Sequence, residues 1–337
     1  MPNYVPGVGP LEPDLFILGE APGAHEDKAL IPFVGASGEL LNDCLRKAGI
    51  SRHECYITNV VKYRPPGNDF KQLHLINVDL GKSIEDLWRN EIEQRRPKCI
   101  LAIGNEALKA VTNVDGILNY RGSILLARDG VTKVVPTIHP AALFSRYTGN
   151  GDDGEAVGAL EYTYLKLIEH DIQRAVDESK TRKLILPQRE IIIARNSLDT
   201  HRYFSQYKFE FNPSVDIESI NCVPVCIGFA FRRDHAISIP LLRKIGKHQI
   251  TEMGYSELSD CWTEVDRELR RCSVIGQNFK YDEFKLNLIG FQTPNIKSDI
   301  IIKTRVIFPE LPKKSLGTLS SIWTRQPFYK DEGKDFK

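Results

Sequence analysis

The sequence is notable first for what is missing. Its 337 residues contain no apolar run of membrane-spanning length, and the amino-terminal Met1-Pro2-Asn3-Tyr4-Val5-Pro6 carries no signal-peptide pattern, so neither a membrane partner nor a secretory leader is expected. Seven cysteines (Cys44, Cys55, Cys99, Cys222, Cys226, Cys261 and Cys272) are scattered without the spacing of a disulfide framework, which predicts a reducing, cytoplasmic setting. Charge of one sign is lacking too. The net charge is +1, with a slight acidic excess up to residue 175 and a slight basic excess beyond it. That excludes the strongly basic body of a non-specific nucleic-acid binder, and any DNA contact must rest on local patches and on donors at loops and helix ends. No internal repeat or low-complexity tract is present. Gly104-Asn105-Glu106-Ala107 is too short for a phosphate loop, which counts against a nucleotide hydrolase on a doubly wound sheet.

What is present is a globular composition, 42% hydrophobic and 26% charged, in a chain long enough for two domains. Residues 11–175 alternate strand and helix patterns. Strands are predicted at 15–19, 55–61, 99–104 and 131–137, and helices at 38–48, 83–94 (Ser83 as N-cap), 105–111 and 155–176. This is an α/β, doubly wound, mostly parallel sheet. Three of the apolar runs end in polar or glycine-rich segments. Leu15–Leu18 runs into Gly19-Glu20-Ala21-Pro22-Gly23, the second run ends at Asn59, and the last in His139-Pro140, which points to one site at the carboxyl edge of the sheet. Residues 177–188 are polar and basic and form the expected linker between domains at 1–176 and 189–337. In the second domain strands are predicted at 191–194, 211–217, 225–231, 236–240 and 274–276, with helices at 263–271 and 282–288.

The blocks GEAPG (19–23), PFVGASG (32–38), ITNVVKYRPP (57–66) and HPAALFSR (139–146) occur in order over about 130 residues. Together they resemble the uracil-DNA glycosylase superfamily, most closely its iron–sulfur-containing family 4. The resemblance implies base flipping into a pocket. Asn59 then reads uracil through an amide that both accepts and donates; otherwise it satisfies a turn. Phe33 stacks on the base or is a core aromatic. His139 donates to uracil O2 as charge builds on the departing base. Glu20 and Ala21 sit where the attacking water is placed, with Glu20 as catalytic group or as a loop-shaping acceptor. Leu143, Phe144 and Arg146 fall where the family's loop enters the minor groove, or else pack a helix. The cluster cysteines are absent: there is no amino-terminal Cys-x-x-Cys, Tyr63 stands in KYRPP, and 67–84 has none, so no iron–sulfur cluster is expected.

Downstream, Asp216 and Glu218 lie two apart on a strand pattern, and Asn278 and Asp282 are four apart on a helix pattern. These match the DxE and NxxxD motifs of the DEDD 3′–5′ exonuclease domain of family A DNA polymerases, a ribonuclease H-like α/β fold. The resemblance implies Asp216, Glu218 and Asp282 as ligands of Mg²⁺ or Mn²⁺. The third motif, Tyr-x-x-x-Asp, is missing because Gly333 follows Tyr329 at the required spacing, so the domain is expected to be truncated and inactive as an exonuclease, with a polymerase region downstream in the same or a neighbouring chain. The expected whole is a DNA replication or repair protein of phage type in a bacterial or phage-infected cytoplasm. It either excises uracil or uses the glycosylase fold as a non-catalytic DNA-binding or processivity module.

Overall fold

Leu15, Phe16, Ile17 and Leu18 are fully shielded from solvent, and they form an interior strand of the sheet in the first of two compact units. The computed structural model describes residues 2–144, 154–292, 294–309, 311 and 314–325. One unit comprises 1–186 with the returning segment 310–337, the other 187–309.

The first unit's sheet consists of β1 (Leu15–Gly19), β2 (Tyr56–Asn59), β3 (Cys99–Ile103), β4 (Leu125–Leu126) and β5 (Lys133–Thr137), in the order β2-β1-β3-β5-β4. All neighbours pair in parallel except β4, an antiparallel edge on β5. Strands buried on both faces need continuous apolar runs, and β1 and β3, buried at every position, have them. The outer edge of β2 is covered by the amino-terminal segment, where Val8 and Ile57 exchange backbone hydrogen bonds of 2.9 and 2.8 Å. Because the strand order reverses beside β1, its carboxyl end opens into a crevice.

The helix expected at 83–94 begins earlier, at Leu80, and continues through a π-helical turn at Trp88–Ile92 to Arg95. Its cap is Asp79, whose carboxylate accepts from Lys82 N at 3.0 Å. Ser83 lies a turn inside and donates its hydroxyl back to Asp79 O at 2.8 Å. The long helix Gly154–Ser179 extends past the expected end at 176.

The second unit contains β6 (Glu190–Ile193), β7 (Ser214–Ile220), β8 (Val223–Ala230), β9 (His235–Pro240), the small hairpin β10 (Lys244–Ile245) and β11 (His248–Gln249), β12 (Ser273–Gly276) and β13 (Asn295–Asp299). Its six-stranded sheet runs β13-β12-β7-β8-β9-β6. The strands β7, β8 and β9 are antiparallel neighbours, while β12 and β13 run parallel to β7. Counted from β7, that is the 5-4-1-2-3 order of a ribonuclease H-like sheet, extended at one edge by β6. The helix expected at 263–271 starts at Tyr255, since Leu258, Cys261, Val265 and Leu269 bury one continuous stripe.

Residues 314–325, read from sequence as part of the second domain, belong with the first unit. Helix Leu316–Trp323, capped by Ser315, is held by Arg121 and Arg174. Those partners lie more than a hundred residues away, beyond the reach of any local pattern.

Candidate active site

The crevice at the sheet's carboxyl edge is a cavity of about 600 Å³ whose lining includes Glu20, Ala21, Phe33, Asn59 and His139. Five residues spread over 120 positions are thus brought to one place by β1, β2 and β5. Gly19 and Asn59 are register partners on β1 and β2. A methyl group on Gly19 would lie 2.3 Å from Asn59 Oδ1 and 2.6 Å from Phe33 Cζ, so both side chains rest on the bare backbone at position 19. Asn59 is 3% exposed and Phe33 5%. Lys62 secures the strand end beneath them: its ammonium donates to Asn59 O at 2.8 Å and pairs with Glu91.

Phe33 has a left-handed backbone, φ 54°, unusual for a bulky residue. Neighbours hold it there. Arg52 donates to Phe33 O at 2.8 Å and to Pro32 O at 2.5 Å. Glu26 accepts from Val34 N and Gly35 N at 3.0 and 2.8 Å, and from Gly23 N at 3.0 Å. Burial would raise the Glu26 carboxyl, but these backbone donors outweigh burial and hold it below the usual range. One ionised carboxylate therefore ties the Gly23 turn to the Phe33 loop.

The His139 ring lies 6.2 Å from that of Phe33, tilted by 27°. Its Nδ1 accepts from Ala141 N at 3.1 Å, which leaves the ring proton on Nε2. Burial pushes the imidazole down to about 4, against a smaller raising effect of Glu26. A neutral donor is thus available throughout the physiological range. In a ¹⁵N-resolved NMR titration from pH 8 to 5 the His139 ring nitrogens should keep the shifts of a neutral Nε2–H tautomer; protonation centred near 6.5 would contradict this.

Glu20 borders the cavity and also lies over Gly104 at the start of helix Asn105–Thr112, accepting from Glu106 N at 3.3 Å. Burial raises its carboxyl, offset in part by the Glu106 and Asn105 backbone donors. Leu143 is buried, at 8% exposure, in the short helix Ala141–Phe144. The Phe144 side chain and Arg146 lie outside the described residues.

In the second unit, Asp216 and Glu218 occupy exposed positions of β7, alternating with buried Val215 and Ile217. Asp282, on helix Lys280–Leu288, is buried and pushed up to about 7, first by burial, then by Asp216, with smaller contributions from Glu218 and Asp299. The carboxylates therefore share one field. Asn278 is left-handed, φ 58°. Its N–H and that of Phe279 donate to Asp299 at 3.0 and 2.9 Å, and Asp299 also caps helix Ile300–Ile307 through Ile301 N at 2.8 Å. Such oxygen donors suit a divalent cation. Among the described residues, however, no group of three or more His, Cys, Asp or Glu side chains is placed to hold a metal ion.

The family model described as the uracil DNA glycosylase superfamily matches residues 6–158. The type-4 uracil-DNA glycosylase of Pyrobaculum aerophilum is 35% identical over 157 residues, covering 44% of this chain and 78% of that protein. The chain belongs to the uracil DNA glycosylase superfamily. A DNA polymerase of Bacillus phage SP01 is also similar, 31% identical over 140 residues, or 41% of this chain and 14% of the polymerase. A solved EXD2 exonuclease domain soaked in Mn and dGMP aligns with 43% of this chain and 75% of that one, at 12% identity and a TM-score of 0.26, too distant to bear on the chemistry.

Within this glycosylase fold, Tyr63, at the position of a cluster cysteine in the family 4 pattern, packs edge-on against Tyr4 with ring centroids 5.6 Å apart. Three residues of the site were not legible as such in the sequence. Glu26 carries a weak signal, an acid three positions after a helix-capping glycine. Lys62 lies inside a motif block but shows its role only through Glu91. Arg52 carries no local signal, because its partners are carbonyl oxygens twenty residues away.

Proposed function

We propose that the first unit flips uracil out of DNA and cleaves its glycosidic bond, as part of a phage-type replication or repair protein in which the second unit is a proofreading-exonuclease domain at the front of a family A DNA polymerase. The observation that carries the glycosylase reading is the neutral, Nε2-protonated His139 facing the same cavity as Asn59 and Phe33. A flipped uracil stacks on Phe33 and presents N3–H to the Asn59 amide oxygen and O4 to its NH₂ group. As the C1′–N1 bond breaks, its electron pair stays with the base and the charge spreads to O2, where His139 donates a hydrogen bond. A water completes the reaction at C1′. Glu20 either orients that water or serves only to hold the helix at Asn105.

Release of uracil from an oligonucleotide containing it, under single turnover, tests this. Asn59→Ala and His139→Ala should each lower the rate by about 10²–10³-fold, the loss typical of a removed transition-state donor. Binding of the DNA by the unmodified chain without release of uracil would instead favour a non-catalytic DNA-binding module.

For the second unit we infer a domain carrying the first two exonuclease motifs. Asp216, Glu218 and Asp282 are the ligands we assign to Mg²⁺ or Mn²⁺, and they need a further oxygen donor to complete a two-ion site. Little or no degradation of a primer 3′ end is therefore expected from this chain with either ion. Robust degradation abolished by Asp216→Ala would show that a substitute ligand exists.

A further inference from the structure

Two residues before His139, Thr137 ends β5, and its hydroxyl donates to Asp171 Oδ2 at 3.0 Å. Asp171 is fully buried and also receives Arg121, whose Nε donates at 2.9 Å and whose Nη2 pairs with the other carboxylate oxygen. The same guanidinium reaches helix Leu316–Trp323, with Nη1 donating to Ser321 Oγ at 3.2 Å. A second route runs beside the first. Arg174 donates to Ser321 O at 2.6 Å, to Ile322 O at 3.2 Å and to Gly122 O at 2.5 Å. Gly122 N in turn donates to Pro136 O at 2.8 Å, on β5. Gly122 is left-handed, φ 70°, and a methyl there would stand 2.6 Å from Asp171 Oδ1 and 3.1 Å from Ser321 O. A glycine is required where helix, carboxylate and strand end converge.

We propose that helix Leu316–Trp323 is a positioning element of the glycosylase centre, setting the end of β5, and with it His139, through Arg121, Asp171 and Arg174. The inference rests on the glycosylase reading of the cavity. Its physical basis is that buried, charge-assisted hydrogen bonds fix geometry closely. The two routes end on consecutive residues, Pro136 and Thr137, so they constrain both translation and twist of the strand end. A displacement of an ångström at a reacting group costs up to about 100-fold in rate. The exit of the chain into the second unit at 187 and its return at 310 are then tied to the chemistry of the first unit.

The test uses the full chain with Thr137→Val, which removes the hydroxyl of the first route and keeps the shape, and Arg174→Gln, which severs the second route to the helix. Each should slow single-turnover uracil release about 10-fold while leaving DNA affinity within about twofold. In a His139→Ala background neither should slow the residual rate further, because the element acts through that imidazole. Should Arg174→Gln fail to fold, Ser321→Ala, which removes the Arg121 acceptor and one bond within the helix to Thr318 O, carries the same expectation. An unchanged rate, or an equal loss with His139 already removed, overturns the proposal. If the unmodified chain releases no uracil, the glycosylase reading fails on its own account, and the His139 ring resonances decide. A shift of those resonances in Thr137→Val and Ser321→Ala supports positioning, whereas unmoved resonances overturn it.

Discussion

Gly19→Ala should reduce uracil release by at least about 100-fold while leaving the fold in place. The backbone at position 19 is ordinary strand, and alanine there carries no conformational penalty of its own. The added methyl meets Asn59 Oδ1 at 2.3 Å and Phe33 Cζ at 2.6 Å. Both side chains are almost fully buried and border the cavity, so any movement away from the methyl alters the cavity itself. Asn59 is tied to β1 by strand register, and Phe33 is fixed by Arg52 and Glu26. The methyl therefore displaces the two groups that read and stack the base, and it occupies space where they meet. Single-turnover release and a thermal melt on the same preparation check this. A rate within tenfold of the unmodified chain would mean that the cavity is not used as described.

Asp171→Asn should destabilise the first unit by about 3–5 kcal/mol, the usual cost of leaving a buried charge without its partner. Asparagine keeps the shape but cannot balance the Arg121 guanidinium, which is 2% exposed. The acid dependence follows from the same contacts. Burial alone would raise the Asp171 carboxyl, but Arg121, with His170 beside it, overrides burial and holds it below the usual carboxylate range. A carboxyl depressed on folding contributes stability that is complete above its unfolded value of about 3.9 and is lost as pH falls through the folded value. Denaturation at pH 7 and pH 3 should therefore show a large gap between unmodified and variant chains at neutrality and a smaller one in acid. Equal gaps at both would show that Asp171 is not the group involved.

Much of the first unit could be read from residues alone, and the reason is physical. Strands β1 and β3 are buried at every position, so their apolar runs are unbroken and end abruptly in glycine. A polar group at or just past the end of a buried strand is conspicuous in the sequence, as Glu20 is after β1, Asn59 at the end of β2 and His139 beyond β5. The supporting contacts were not legible. Arg52 answers to carbonyl oxygens, Arg121 to a carboxylate fifty residues on, and Arg174 to the backbone of a helix nearly 150 residues away. None of these pairings leaves a periodicity. Asp79 was passed over as a cap because Ser83 lay in an equally good pattern one turn later; only the register of the buried face decides between them. In the second unit, the DxE and NxxxD spacings single out Asp216, Glu218 and Asp282, whose carboxylates influence one another in the structure. Asp299 was missed, although an aspartate between a strand and an Ile-rich helix is a recognisable cap.

The return of the chain to the first unit at residue 310 also bears on how this protein is born. A ribosome releases roughly 5–20 residues each second, so the second unit, residues 187–309, emerges over roughly ten seconds before Ser321 exists. During that interval Arg121 still holds Asp171, but neither Arg121 nor Arg174 has its partners on helix Leu316–Trp323. The last contacts of the first unit, those to Ser321 and Ile322, can therefore form only after the whole of the second unit has been synthesised.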